Sequence, residues 1–166
     1  LVNRKVNITT PVVELANWDT VTRDYQRPCV FIQIRYTSGL DGSNIMILKE
    51  HDVKVITDLM MGGDGSNTDG ELGELHLSAI SEAMNQMTAS SATAMSKMFD
   101  SKIEISPPSV QSVKIDTFRF PDDIPDDLFV KINFKMKIGN LIDSTIIQLY
   151  PFDLAHSIYK LFQRRK

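Results

Sequence analysis

Four residues stand at spacings that could do chemistry: Ser78, Glu82, Asn85 and, much further on, Pro108. The first three are at positions i, i+4 and i+7, so on a helix they lie within roughly 60° of one another. Such a stripe presents a hydroxyl, a carboxylate and a carboxamide together. An amide can hold a water molecule by donating and accepting, and a carboxylate can bind a cation on a partner. No Ser–His or Cys–His arrangement accompanies them, so positioning is expected rather than a covalent intermediate.

The same pair also has an ordinary interpretation. Glu and Asn three residues apart are common on a solvated helix face, and these two residues alone favour that interpretation. Asn85 argues against it, because asparagine competes for backbone hydrogen bonds and is a poor helix former. The opposite face is predicted to be packed in a core, which is favoured over an adaptable methionine surface. Its apolar members are Ile80, Met84, Met87, Met95 and Met98.

The complete pattern, S-x3-E-x2-N-x22-P, resembles the signature of the CheC/FliY/CheX family of chemotaxis phosphatases. Residues 74–87 look like the second signature helix of the flagellar motor switch members, and the resemblance covers nearly the whole chain. It implies an α/β sandwich with a pseudo-two-fold internal repeat, in which long signature helices pack on a β-sheet. The chain is thereby identified as similar to the CheC-like middle domain of the switch members.

The resemblance also implies an activity, which is hydrolysis of the aspartyl-phosphate of the response regulator CheY. Asn85 would orient the attacking water and Glu82 would pair with a lysine of the regulator. Ser78 would add a polar contact, and Pro108 would shape the backbone. The regulator carries its own Mg²⁺, so no cofactor is expected on this chain. Positioning and charge dominate phosphoryl transfer, so two well-placed side chains can suffice.

The chain contains an internal repeat. Residues 5–11 match residues 102–108 at an offset of 97 residues, from Lys5 to Lys102. Each half is predicted to contain a short strand, a Pro-started turn or short helix, a hairpin and a closing helix. For the first half these are Lys5–Thr9, Pro11–Ala16, Cys29–Tyr36 with Asn44–Leu48, and His51–Met61. For the second they are Lys102–Ile105, Pro108–Val113, Leu128–Ile138 with Ile142–Leu149, and Phe152–Phe162.

One domain, residues 1–166, is expected: a first half at about 1–61, a Gly-rich connector at 62–70 and a second half at 71–166. A long helix, roughly Glu71–Phe99, has no counterpart in the first half. At the same offset its counterpart would precede Leu1, so a leading signature helix is expected to be missing, and Pro11 would be the remaining proline of a first site. The alternative is an asymmetric domain.

The connector carries Gly62, Gly63, Asp64 and Gly65, and it is predicted to be a flexible loop. It is not a P-loop, because no Gly-Lys-Ser/Thr follows. One interpretation is a helix C-cap followed by a linker. The other rests on resemblance to the G-G-x-G loop of the switch protein FliM, which implies contact with the rotor protein FliG.

Composition excludes several other classes. The 166 residues carry a net charge of −3, which argues against nucleic-acid binding. Cys29 is the single cysteine, so no internal disulfide is possible, and the three histidines lack metal-ligand spacing. No segment suits a bilayer, so a cytoplasmic protein at the flagellar switch is expected, with FliM, FliN-type proteins and FliG as partners. The competing hypotheses are a non-catalytic FliM-like scaffold and a binding domain of unknown partner.

Overall fold

The structure is a computed structural model that describes residues 5–8, 12–24, 28–113 and 128–165. Pro11 and its predicted role lie outside these residues. In chain order the described elements are β1 (Val6–Ile8), β2 (Val12–Ala16), α1 (Trp18–Asp24), β3 (Cys29–Ser38), β4 (Gly42–Lys49), α2 (Glu50–Met60), α3 (Glu74–Phe99), β5 (Glu104–Ile105), β6 (Ser109–Val113), β7 (Phe129–Ile138), β8 (Ile142–Pro151) and α4 (Phe152–Arg165).

One antiparallel sheet contains all of these strands, in the order β1-β7-β8-β4-β3-β5, with β2 also paired to β7 and β6 to β3. The hairpins β3–β4 and β7–β8 meet through β4 and β8, where Met46 lies opposite Gln148. The leading strands of each half pair with the hairpin of the other half. The described parts of the two repeated segments therefore lie at equivalent sheet edges, as the repeat predicted.

The segments after the two prolines are strands, so the prediction of turns or short helices at Pro11–Ala16 and Pro108–Val113 was wrong. β2 pairs with β7 from Val12 to Ala16, and β6 pairs with β3 from Ser109 to Val113. The β-branched valines suit an extended backbone, and a proline can precede a strand without removing a ladder hydrogen bond.

The short helix α1 was not predicted, although a local capping signal marks its start. The backbone N–H of Thr20 donates to Oδ1 of Asn17 (3.0 Å), and the backbone N–H of Asn17 donates to Oγ1 of Thr20 (3.2 Å). This reciprocal pattern is a capping box with asparagine and threonine in place of the usual pair.

Helices cover both faces of the sheet. On one face, even-numbered residues of the central strands pack against α2 and α3, with α4 beside them. On the other face, odd-numbered residues pack against Val21 of α1. Apolar and polar residues alternate along most of β7, a pattern typical of a strand with one solvated face, but that face is exposed only near the end of the strand, at Lys135 and Lys137. Lys131 is buried, and its Nζ lies 3.5 Å from Oε1 of Glu14.

The long helix α3 changes its support along its length. Ile80 and Met84 are buried against α2 and the sheet, whereas Phe99 packs edge-on against Phe162 of α4, with ring centroids 4.9 Å apart. Met95 is half-buried beside α4. The prediction that Met87 and Met98 are buried was wrong, since they are 51% and 39% exposed. The first half of α3 packs against α2 and the second half packs against α4, so the buried side of the helix changes along its length. Met87 and Met98 lie on neither buried side and remain exposed.

Candidate functional site

The polar stripe of Ser78, Glu82 and Asn85 lies on the outer surface of α3, and all three residues are exposed. In the described part of the chain, no hydrogen bond or ion pair engages the side chains of Glu82 and Asn85. The spacing predicted this side-by-side exposure. A carboxylate and an amide are thus presented together and free to contact another molecule.

The helix beneath the stripe is firmly supported. Ile80 and Met84 are 1% and 7% exposed, and Ala83 is also buried. Oγ1 of Thr88, a buried residue, donates to the carbonyl oxygen of Asn85 at 3.1 Å. The backbone of Asn85 is therefore fixed on the core side of the helix, while its side-chain amide is exposed to solvent. A rigid support of this kind keeps two side chains at a fixed separation, as positioning chemistry needs.

Pro108 does not belong to the exposed stripe, because it is buried directly before β6. The strand that it precedes pairs with β3 and contacts α3. Just upstream, the backbone N–H of Ser106 donates to the carbonyl oxygen of Arg35 at 2.9 Å. This location fits the predicted backbone-shaping part of Pro108 better than a direct contact with substrate.

The Gly-rich connector begins as a well-formed helix C-cap. The N–H of Gly63 donates to the carbonyl of Asp58 (2.8 Å) and that of Gly62 to Leu59 (3.2 Å), which is the Schellman pattern. Gly62 has φ +89° and Gly65 has φ +88°, a conformation that favours glycine.

The loop is also tied back by side chains, whereas the sequence predicted a flexible one. Oδ2 of Asp58 accepts from the N–H of Gly65 at 2.8 Å, and Nζ of Lys54 donates to the carbonyl of Gly70 at 2.7 Å. A Cβ on Gly63 would overlap the Asp58 carboxylate. Asp58 organises the loop, and sequence analysis missed it, since nothing marks an aspartate near a helix end as a loop anchor.

The remaining titratable groups offer no rival centre within the described ranges. There, no three His, Cys, Asp or Glu side chains are grouped so that they could hold a metal ion. Burial raises the pKa of the Cys29 thiol to about 11, with the Glu50 carboxylate adding to the effect and Lys49 opposing it, so this thiol is a poor nucleophile. Nδ1 of His76 accepts from the N–H of Gly73 at the start of α3. No described helix has the length and apolar character to cross a membrane.

Comparison with known proteins places this stripe in a defined class. The family model of CheC-like proteins matches residues 75–112, which include all four signature positions. Together with a helix-covered antiparallel sheet, this match defines a CheC-like domain.

More specific similarities follow. The chain is 46% identical over 159 residues to the flagellar motor switch phosphatase FliY of Bacillus subtilis, covering 95% of this chain but 42% of that protein. The crystal structure of Thermotoga maritima FliY superposes with a TM-score of 0.89 at 36% identity, covering 99% of this chain and 85% of that one. A chain of the H. pylori FliG–FliM complex shares the fold, with a TM-score of 0.74 at 14% identity over 96% of this chain and 85% of that chain. The chain therefore belongs to the FliY proteins of the CheC-like family, and it spans less than half the length of the Bacillus relative.

Proposed function

We propose that this domain dephosphorylates the phosphorylated response regulator CheY at the flagellar motor switch. The observation that carries the proposal is the exposed, unpartnered pair of Glu82 and Asn85 on a firmly packed helix. The name of the Bacillus relative, a flagellar motor switch phosphatase, supports the same activity. The proposed location is the cytoplasmic side of the flagellar switch.

In the proposed reaction, water attacks the phosphorus atom of the regulator's aspartyl-phosphate. The bond between phosphorus and the aspartate oxygen breaks, leaving a free carboxylate and inorganic phosphate. The amide of Asn85 accepts from and donates to its neighbours, so it holds the water in line with the breaking bond. The carboxylate of Glu82 pairs with a lysine of the regulator and so fixes the docked geometry. Mg²⁺ is proposed to be held by the regulator.

The proposal separates the roles of the two residues. Asn85→Ala is expected to abolish most turnover, by about 10²-fold or more, without changing the fold, because the side chain is exposed and contacts only the water. Glu82→Lys is expected to act mainly on docking, because it sets a like charge against the regulator's lysine. The measurement is decay of phosphorylated CheY at several regulator concentrations.

Ser91→Ala is the matched control, since Ser91 is also exposed on α3 but points about 120° away from Asn85 and about 180° away from Glu82 around the helix. It should leave the decay rate unchanged. If Asn85→Ala and Ser91→Ala both match the wild type, the Glu–Asn stripe is not the catalytic element, and the non-catalytic scaffold hypothesis gains.

We also propose a second function for the same domain, in which the loop of Gly62, Gly63, Asp64 and Gly65 contacts FliG. FliM and FliN-type proteins are proposed as further partners of the domain. Gly62, Gly63 and Asp64 are exposed, and the side chain of Asp58 holds the loop in one shape. The fold shared with a chain of a FliG–FliM complex is consistent with this contact.

A further inference from the structure

A surface cavity of about 290 Å³ lies between the end of α2 and the first turns of α3. Its lining residues are Met60, Met61, Leu75, Ser78, Ala79 and Glu82. On α3, Leu75, Ala79 and Glu82 are at positions i, i+4 and i+7, so they form one wall. Two methionines at the end of α2 form the other. Ser78 and Glu82 therefore belong both to the polar stripe and to the rim of this cavity.

The walls of the cavity are apolar and open to solvent. Met61 is 64% exposed and Leu75 is 57% exposed. Single exposed apolar residues need no explanation, but these two lie around one hollow next to an unpartnered carboxylate.

The dimensions fit a single large side chain. An apolar cavity of roughly 150 Å³ is enough to bind benzene, so this one has room for a leucine, methionine or aromatic side chain. Methionine walls adapt to different apolar shapes because the thioether chain is flexible and polarisable. The carboxylate at the rim favours a cation at the cavity edge, so the complementary surface carries a positive charge beside an apolar group.

We propose that this cavity receives one apolar side chain of the phosphorylated regulator, next to the lysine that pairs with Glu82. The inference rests on the proposed phosphatase function and names a specificity determinant for it. The inserted apolar side chain stabilises the bound regulator and the transition state equally, so it contributes to docking rather than to the chemical step. Leu75, Ala79 and Met61 are thus positioning residues for the regulator and do not contact the reacting atoms.

The test uses two substitutions that change the cavity in opposite ways. Ala79→Leu fills it with a good helix former, and Leu75→Gln removes apolar surface from its wall. Both are expected to raise KM for phosphorylated CheY by about tenfold while kcat stays within about twofold. Met98→Gln is the control, because Met98 is an exposed apolar residue at the far end of the same helix and should change neither parameter. Circular dichroism of each variant serves as the check that the protein is folded.

The outcomes separate this inference from the function on which it rests. If Asn85→Ala loses turnover while both cavity variants keep the wild-type KM, the phosphatase function stands and the cavity inference is overturned. If the wild type does not accelerate decay at all, both fall. A regulator variant truncated to alanine at the apolar residue beside its lysine should also raise KM. Its effect should not add to that of Ala79→Leu, because both remove the same contact.

Discussion

Asp58 acts on the Gly-rich loop through its carboxylate and its backbone at once. Its carbonyl closes the helix cap and its side chain holds the N–H of Gly65. The glycines follow from this geometry, since Gly62 and Gly65 have positive φ and Gly63 lies against the Asp58 carboxylate. The turn alone thus explains why glycines stand there, and a partner contact would use a loop shape that already exists.

Removal of the Asp58 carboxylate tests whether this single side chain orders the loop. Oδ2 of Asp58 accepts from the N–H of Gly65 and also from the N–H of Asn67 (3.4 Å). Asp58→Ala removes this carboxylate, so hydrogen exchange at both amides is expected to rise by about fivefold to tenfold, in line with the loss of roughly 1 kcal/mol. Binding to FliG, measured by calorimetry, should weaken with it. Asp58→Asn keeps an acceptor oxygen and serves as the control. Faster exchange with unchanged FliG affinity would remove this loop from the FliG contact.

The site was predictable at this scale only in part. Spacing alone brings Ser78, Glu82 and Asn85 to one face, because helical geometry needs no tertiary information. Asp58 and the cavity next to Glu82 were not predictable, since both depend on how the end of α2 sits against α3. The roles of Glu82 and Asn85 in catalysis remain predictions.

At the scale of the element, α3 is one helix with two differently supported halves. Its first half packs on α2 and the sheet, and its second half packs on α4. An exposed stripe at positions i, i+4, i+7 and i+11 is left between these supports, formed by Met87, Ser91, Ala94 and Met98. Helical periodicity assigned Met87 to the core because the periodicity identifies the apolar face of a helix. It does not show how far along the helix the neighbouring elements cover that face.

Met84 and Met87 provide a matched pair for testing this change of support. Both are methionines on α3, but one is 7% exposed and the other 51%. Met84→Ala should lower the free energy of unfolding by about 2–4 kcal/mol, because it leaves a cavity in the core, whereas Met87→Ala should cost less than about 1 kcal/mol. Urea denaturation of both variants measures the difference. Equal losses would mean that Met87 is covered in solution.

Other elements show where sequence patterns succeed. The two hairpins were predicted almost to their ends, since runs rich in β-branched and other apolar residues flank the turn residues Gly42 and Gly139 and so specify both strands and turns. The strands β2 and β6 were missed because each is defined by pairing with the opposite half, at Val13 with Ile132 and at Val110 with Ile32. Local signals do not report a partner about 80 or more residues away in the chain.

At the scale of the whole molecule, the two halves depend on each other. Each hairpin is completed at its outer edge by strands from the other half, and the centre of the sheet is the β4–β8 pairing. The repeat predicted two similar halves, but the exchange of their leading strands is a property of the assembled sheet. One core face therefore collects residues from both halves, among them Cys29, Phe31 and Phe129.

That shared core makes stability sensitive to alkaline pH. Burial raises the pKa of Cys29 to about 11, above the value of about 8.5 expected for an unfolded thiol. A group whose folded pKa is raised contributes stability that is fully present below the unfolded value and is lost as pH rises through the folded one. Burial also raises the pKa of Tyr36 and of Tyr150, the latter with a contribution from the Tyr36 charge, but tyrosines add their loss only above about pH 10.

The interval between about pH 8.5 and pH 10 therefore isolates the thiol. Urea denaturation is expected to show a free energy of unfolding that is flat from pH 7 to 8.5 and then declines in the wild type. Cys29→Ala should be less stable than the wild type at pH 7, because it leaves a small void in the core, but its stability should hardly change across that interval. Above about pH 10 both proteins should lose stability together, because tyrosines ionise in the unfolded chain while burial keeps Tyr36 and Tyr150 protonated in the folded one. A wild type and a Cys29→Ala variant with the same slope between pH 8.5 and 10 would show that the thiol is not buried as the structure places it, and that the shared core is open on that side.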